Sequence, residues 1–190
     1  MLAYRKERIE NTICYLASKH LKQKGEPLYQ TFLYKYLAFL EFDSLESIGK
    51  PLYEFTYKAM KNGPVPLDIY SKRYNYETDL FIFIPLEDNK IIVIPKKEPD
   101  TDYLSEHEIQ KIDELLKIFA QPGIKSKIIC KASHKIKAWK KAWQRKKNSL
   151  IRYQDSFSEN LDEKKETALS HQENSYLVYR GLRKLSRRCG

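Results

Sequence analysis

Apolar positions divide the chain into helical stretches separated by one strand-like interval. From about residue 5 to 24, Ile9, Ile13, Leu16, Ala17 and Leu21 recur every three or four positions, the spacing that collects side chains on one helical face. Gly25 and Pro27 end that helix. FLYKYLAFLEF, Phe32 to Phe42, is apolar around most of its circumference, and a helix of that kind is wrapped by others, which places it at the centre of the domain. SIGKPL (47–52) reads as a loop, and LYEFTYKAMKN leads back into helix.

The helix through YKAM is expected to close at Asn62-Gly63, because glycine takes the left-handed conformation that terminates helices. Pro64 lacks an amide proton and biases Gly63 away from the right-handed helical region. Pro66 suits the first position of a new helix carrying Leu67, Ile69 and Tyr70. Gly63-Pro64-Val65-Pro66 is thus predicted to be a rigid corner between two helices, holding Tyr57 and Tyr70 against the central one. A rigid turn also presents side chains to a partner with little entropy left to lose, so a binding role for the same residues stays open.

FIFIPLEDNKIIVIP (81–95) has two β-branched and aromatic runs around the turn-prone Glu87-Asp88-Asn89-Lys90, the pattern of a β-hairpin. Both faces of each strand are apolar, so the hairpin is expected to be covered. In YLSEHEIQKIDELLKIF (103–119), Ser105 and Glu108 form a capping box with Leu104 and Ile109 as the hydrophobic staple. Ile109, Ile112, Leu115, Leu116 and Phe119 make its buried stripe, and Gln121-Pro122-Gly123 stops it.

The character then changes. Residues 125–152 contain eleven Lys or Arg and no acid, while Ile128, Ala132, Ile136, Trp139 and Trp143 fall three or four apart, as if one basic amphipathic helix ran through the segment. Beyond residue 150 periodicity weakens, apart from Tyr176, Leu177, Tyr179 and Leu182, and a peripheral helical or partly disordered extension (151–190) is expected after a domain spanning 1–150.

Composition adds a formal charge of +10 over 190 residues, which favours an acidic partner, nucleic acid or protein, and says nothing about fold. Cys14, Cys130 and Cys189 have no metal-ligand spacing, the first residues are charged rather than leader-like, and no apolar run is long enough for a membrane span. A cytoplasmic protein with reduced cysteines and no membrane partner is expected.

Candidate chemistry is sparse. His20, His107, His134 and His171 form no HxxxH or HExxH pattern, and no glycine-rich phosphate loop is present. Asp79, Glu87, Asp88 and Lys90 have the wrong spacing for a metal nuclease, and Asp88-Asn89 is better explained by turn chemistry. Neither an activated nucleophile nor a matched acid–base pair emerges, so no catalytic residue, metal or cofactor is expected.

YKAMKNGPVPLDIY resembles the signature of the Panacea domain, the SocA-like antitoxin family of bacterial and phage toxin–antitoxin systems, through Tyr57, Ala59, Gly63-Pro64-Val65-Pro66 and Ile69-Tyr70. FLYKYLAFLEF is similar to the family's central helix and LSEHEIQKIDELL to the helix after its hairpin. ASHKIKAWKKAW, with His134 and Trp139, is similar to its closing segment. The resemblance covers roughly residues 5 to 150. It implies an α+β domain, predominantly helical and compact, with a small antiparallel β-hairpin, that neutralises a cognate toxin by binding it.

The contact surface expected for such a partner is the basic closing segment and its aromatics, with Lys135, Lys140, Lys141 and Arg145 as candidates. The alternative is nucleic-acid binding through the same 125–152 segment, as an autorepressor or RNA-associated protein. No recognisable reader module accompanies it.

Overall fold

The computed structural model describes residues 4–157 and 161–186. Helix α1 (Arg5–Lys24) ends at Gly25 and leads through the two-residue strand β1 (Leu28–Tyr29) into α2 (Gln30–Ile48). Leu33, Tyr36, Leu37, Ala38 and Leu45 on α2 are fully buried, as expected of a helix apolar on every side. The same helix buries two charge-capable side chains, Lys35 and Glu41, at 1% and 0% exposure.

The expected corner between helices is instead a β-hairpin. Strand β2 (Tyr57–Met60) pairs antiparallel with β3 (Gly63–Pro66) in the register Tyr57–Pro66, Lys58–Val65, Ala59–Pro64 and Met60–Gly63. Tyr57 and Ala59 face the core while Lys58 and Met60 are half-buried, the two-residue alternation of a strand. The prolines are tolerated because the backbone of their partners Tyr57 and Ala59 bonds elsewhere. Ala59 donates to Ser149 O at 2.8 Å, Asn148 to Ala59 O at 3.0 Å and Ile151 to Tyr57 O at 2.9 Å. Residues 148–151 therefore flank β2 on one side, and β3 lies on the other as a proline-bearing outer strand. Only one turn of helix follows, α3 (Leu67–Tyr70), with Pro66 as its N-cap rather than its first residue.

The second hairpin matches the sequence pattern. Strands β4 (Phe81–Pro85) and β5 (Ile91–Pro95) pair antiparallel, and β1 adds to β5 to give the order β1-β5-β4. Asp88 and Asn89 turn the chain at φ 58° and 56°, a conformation Asx residues take more readily than other non-glycine types. Covering is one-sided: Phe81, Phe83, Ile91 and Val93 are buried, whereas Ile84 is 37% exposed.

Helix α4 (Glu106–Phe119) begins with the full Ser105–Glu108 capping box. Glu108 also receives Arg8 of α1, whose Nε lies 2.8 Å from Oε1 and Nη2 2.6 Å from Oε2, so one carboxylate caps α4 and ties it to α1. The closing segment breaks in two, α5 (Ser126–Ser133) and α6 (Lys137–Arg145), rather than running on as one helix. The break at 134–136 shifts the helical phase, so Ile129 and Cys130 are buried while Ile128 is 48% exposed.

Packing does not stop at residue 150. Ile151 is buried, and the Tyr153 hydroxyl donates to the Phe55 carbonyl at 2.6 Å. Helix α7 (His171–Ser186) lays its first half against the end of α2, where Gly49 leaves room for it: a β-carbon there would stand 2.2 Å from the Gln172 carbonyl. Tyr176 is buried under this contact, whereas Leu182 and Leu185 on the second half are 60% and 59% exposed. Among the described residues no helix is long and apolar enough to cross a membrane.

Candidate functional site

Three of the four signature stretches, α2, the hairpin with α3, and α5–α6, meet around the β2–β3 pairing, while α4 packs on α1 and α2. From α2, the Lys35 ammonium donates to the Pro64 carbonyl at 2.8 Å. From the α5 end, Ser133 Oγ sits where a β-carbon on Gly63 would fall, 2.2 Å away, so the strand passes α5 at a distance only glycine permits. Gly63 also holds φ 103°, outside the range of most L-residues. From α6, the Trp139 indole donates to the Met60 carbonyl at 3.1 Å and stacks on the His134 ring at a centroid distance of 4.2 Å. Tyr57 packs on Phe42 at 5.1 Å and Tyr70 on Tyr34 at 6.2 Å, both α2 residues. Val65 and Ile69 complete the apolar contacts.

Burial sets the electrostatics of this cluster. It lowers the Lys35 amine to about 8, with little compensation from neighbours. It also holds the His134 imidazole below its ordinary range, against an opposing hydrogen bond with the Lys61 backbone. The Tyr57 hydroxyl and His134 Nε2 are buried with no hydrogen-bond partner among the described residues. None of these groups has the paired acid and base that proton transfer requires.

A second polar centre lies further along α2, and sequence reasoning missed it. The Glu41 carboxyl accepts from the Tyr53 amide at 2.6 Å and the Phe55 amide at 3.1 Å, and the Tyr153 hydroxyl closes on it from the far end of the chain. Desolvation pushes the carboxyl up, opposed by these hydrogen bonds. Beside it, Glu54 adopts φ 58° and pairs with Arg183 of α7. The available signal was a Glu and a Lys inside an all-round apolar helix, which must find partners when buried.

The basic candidates separate into two kinds. Lys135 and Lys140 are exposed on the outer face of α5–α6. Lys141 donates to the Phe157 carbonyl at 2.7 Å and Arg145 pairs with Asp155, so both bind the following segment to α6. Trp139 is 6% exposed and Trp143 stacks on it at 5.6 Å, so the aromatics expected at the surface of this segment largely face inward. Cys189 lies outside the described residues; Cys14 and Cys130 are buried free thiols. Among the described residues no three His, Cys, Asp or Glu side chains gather as a metal-binding group.

An α-helical domain whose glycine-proline strand is clamped by a buried lysine and a tryptophan is the arrangement defined by these contacts. The antitoxin SocA-like, Panacea domain family matches residues 33–140, more than half of the chain, and the protein belongs to that family. The matched range begins within α2 and ends within α6, so it contains Lys35, the hairpin, His134 and Trp139, and excludes Tyr153 and α7. No match was found among curated proteins or among solved structures. Membership gives the chain a general role as the antitoxin of a toxin–antitoxin system, with a toxin as partner.

Proposed function

We propose that this protein acts in the cytoplasm by binding, directly and without chemistry, a toxin encoded by an adjacent gene. The observation that supports this reading most is the direction in which the signature faces. Lys35, Gly63, Pro64 and Trp139 bond to one another's backbone or pack inside. They maintain a scaffold, and the surface around it is left to recognise the partner. Lys135 and Lys140 project from that scaffold, a placement that suits an acidic toxin surface.

Co-expression with the product of each adjacent reading frame tests the reading. Restored growth together with a stable co-purifying complex is expected. A neighbour that is harmless, or a toxin whose inhibition is relieved with no complex formed, overturns direct binding.

Nucleic-acid binding through residues 125–152 is the second reading. It is favoured by the absence of any acid among those eleven cations, most of which stay exposed. Retention of DNA or RNA that weakens steeply with salt supports it, because each phosphate contact releases counterions.

A further inference from the structure

The closing segment and α7 enclose a cleft of about 880 Å³ that lies beyond the family match. Its floor is apolar and aromatic: Phe55, Ile151, Tyr153 and Tyr176, all packed into the core or its edge. Its walls carry six cations, and they fall into two sets. Arg145, Arg180 and Arg183 pair with Asp155, Asp162 and Glu54 and so fix the walls to one another. Lys146, Arg152 and Lys184 are exposed at the rim. Leu150, 54% exposed, stands at the mouth between them.

We infer that this cleft seats an acidic segment of the partner protein, with apolar side chains meeting Leu150 at the mouth and carboxylates meeting Lys146, Arg152 and Lys184. The inference rests on the direct-binding reading and assigns it a place. Charge complementarity selects the acidic partner, since the six cations of the walls exceed the three carboxylates that pair with them. The floor selects a protein over a single-stranded nucleic acid. Base stacking needs open aromatic faces, whereas Tyr176 is 5% exposed with its ring against Phe157 at 4.8 Å, and the half-buried Tyr179 packs beside Tyr176 with its hydroxyl held by Arg183. The Tyr153 hydroxyl is likewise engaged by Phe55 and Glu41. What remains open is the aliphatic Leu150 beside a positive edge, which fits a peptide that alternates apolar and acidic side chains.

The test uses the full chain and the co-purified product of the adjacent toxin gene. In one arm Lys146→Glu, Arg152→Glu and Lys184→Glu are combined, and the complex is titrated at low and physiological salt. The expected result is a dissociation constant raised about tenfold or more, chiefly through slower association at low salt, with an unchanged melting temperature. In the other arm a photo-crosslinking amino acid replaces Leu150, or Ile118 on α4 as comparator, in an otherwise native chain. Crosslinks from position 150 to a Glu- or Asp-rich peptide of the toxin support the cleft. Crosslinks from 118 alone, or wild-type affinity in a folded triple variant, overturn it while leaving direct binding intact. Should the triple variant fail to fold, the crosslinking arm decides. Absence of any complex with the wild-type chain removes both this inference and the reading on which it rests.

Discussion

The Lys35 ammonium, 1% exposed on the central helix, donates to the Pro64 carbonyl at 2.8 Å, so an ionisable group in the core holds the proline strand in place. Its amine is lowered from 10.5 to about 8 by burial. Between those values the unfolded chain binds the proton more tightly than the folded one, so stability rises with pH across that window, by roughly 3 kcal/mol at most. Below pH 8 the penalty is present in full. Buried tyrosines such as Tyr34, whose phenols are pushed up, oppose the gain above about pH 10. Denaturant titrations from pH 7 to 10 are expected to show the rise in the wild type and a flatter profile in Lys35→Met. Equal slopes in the two proteins would sink this account.

Gly63 and Ser133 are coupled through space. Gly63→Ala forces a β-carbon against Ser133 Oγ and strains a backbone at φ 103°. A loss of about 3 kcal/mol or more is expected, because clash and conformational strain add. Removing the hydroxyl in Ser133→Ala should return about 1 kcal/mol of that loss in the double variant, relieving the clash and leaving the strain. Strict additivity of the two substitutions in urea melts would show that they do not meet.

Tyr57 is the signature residue whose hydroxyl is buried with no partner among the described residues. Its ring packs on Phe42 and on Phe55, so the aromatic contact would survive removal of the oxygen. Tyr57→Phe is therefore expected to stabilise the fold by about 1 kcal/mol. A destabilisation of the same size in thermal melts would contradict an unpaired hydroxyl.

Tyr153 and Glu41 join the end of the domain to its central helix. Tyr153→Phe removes a hydroxyl bonded to both the Glu41 carboxyl and the Phe55 carbonyl, and a loss of about 2 kcal/mol is expected. Because burial raises the Glu41 carboxyl, the folded state holds its proton above the unfolded value. That stabilisation is complete below the unfolded value and is lost as pH rises through the folded one. Relative to Glu41→Gln, the wild type should lose stability as pH rises above about 4.5. A constant difference over that range would contradict the raised carboxyl.

On the outer face, Lys135→Glu with Lys140→Glu should leave the melting temperature within a degree or two, as exposed substitutions do, and slow association with an acidic toxin several-fold. Adding Lys141→Glu and Arg145→Glu is expected to cost stability too, since these two side chains hold Phe157 and Asp155. Stopped-flow association rates and melts on both variants separate the two effects. Identical rates for the double variant and the wild type would remove this face from the interface.

Much of the architecture was readable where local chemistry was sufficient. Ser105 and Glu108 specify their helix start without outside help, and the 81–95 hairpin announces itself by two apolar runs around Asx residues. The 57–66 hairpin was misread because two prolines suggest breakage, and their tolerance depends on residues 148–151, some ninety positions away, taking up the other edge of β2. Asn62-Gly63, a strong hairpin dipeptide, was the local clue. The basic segment looked like one helix because Ile128 fits the spacing of Ala132 and Ile136, whereas the burial of Ile129 depends on how α5 seats against α2. Of the interior polar groups, Lys35 and Glu41 were visible as anomalies, but their partners come from residues 53–64 and 153, which no local pattern connects to them.

The Glu41–Tyr153 contact spans 112 residues of sequence. A ribosome adding about 5–20 residues per second takes roughly 6 to 20 s to cover that interval, and throughout it the central helix has a carboxyl without its final partner. Folding of the nascent chain is thus completed late, after most of the polypeptide has left the exit tunnel. A product released early by a nonsense codon or a stalled ribosome would lack the closing tyrosine, and quality-control proteases would meet an open core rather than a finished antitoxin.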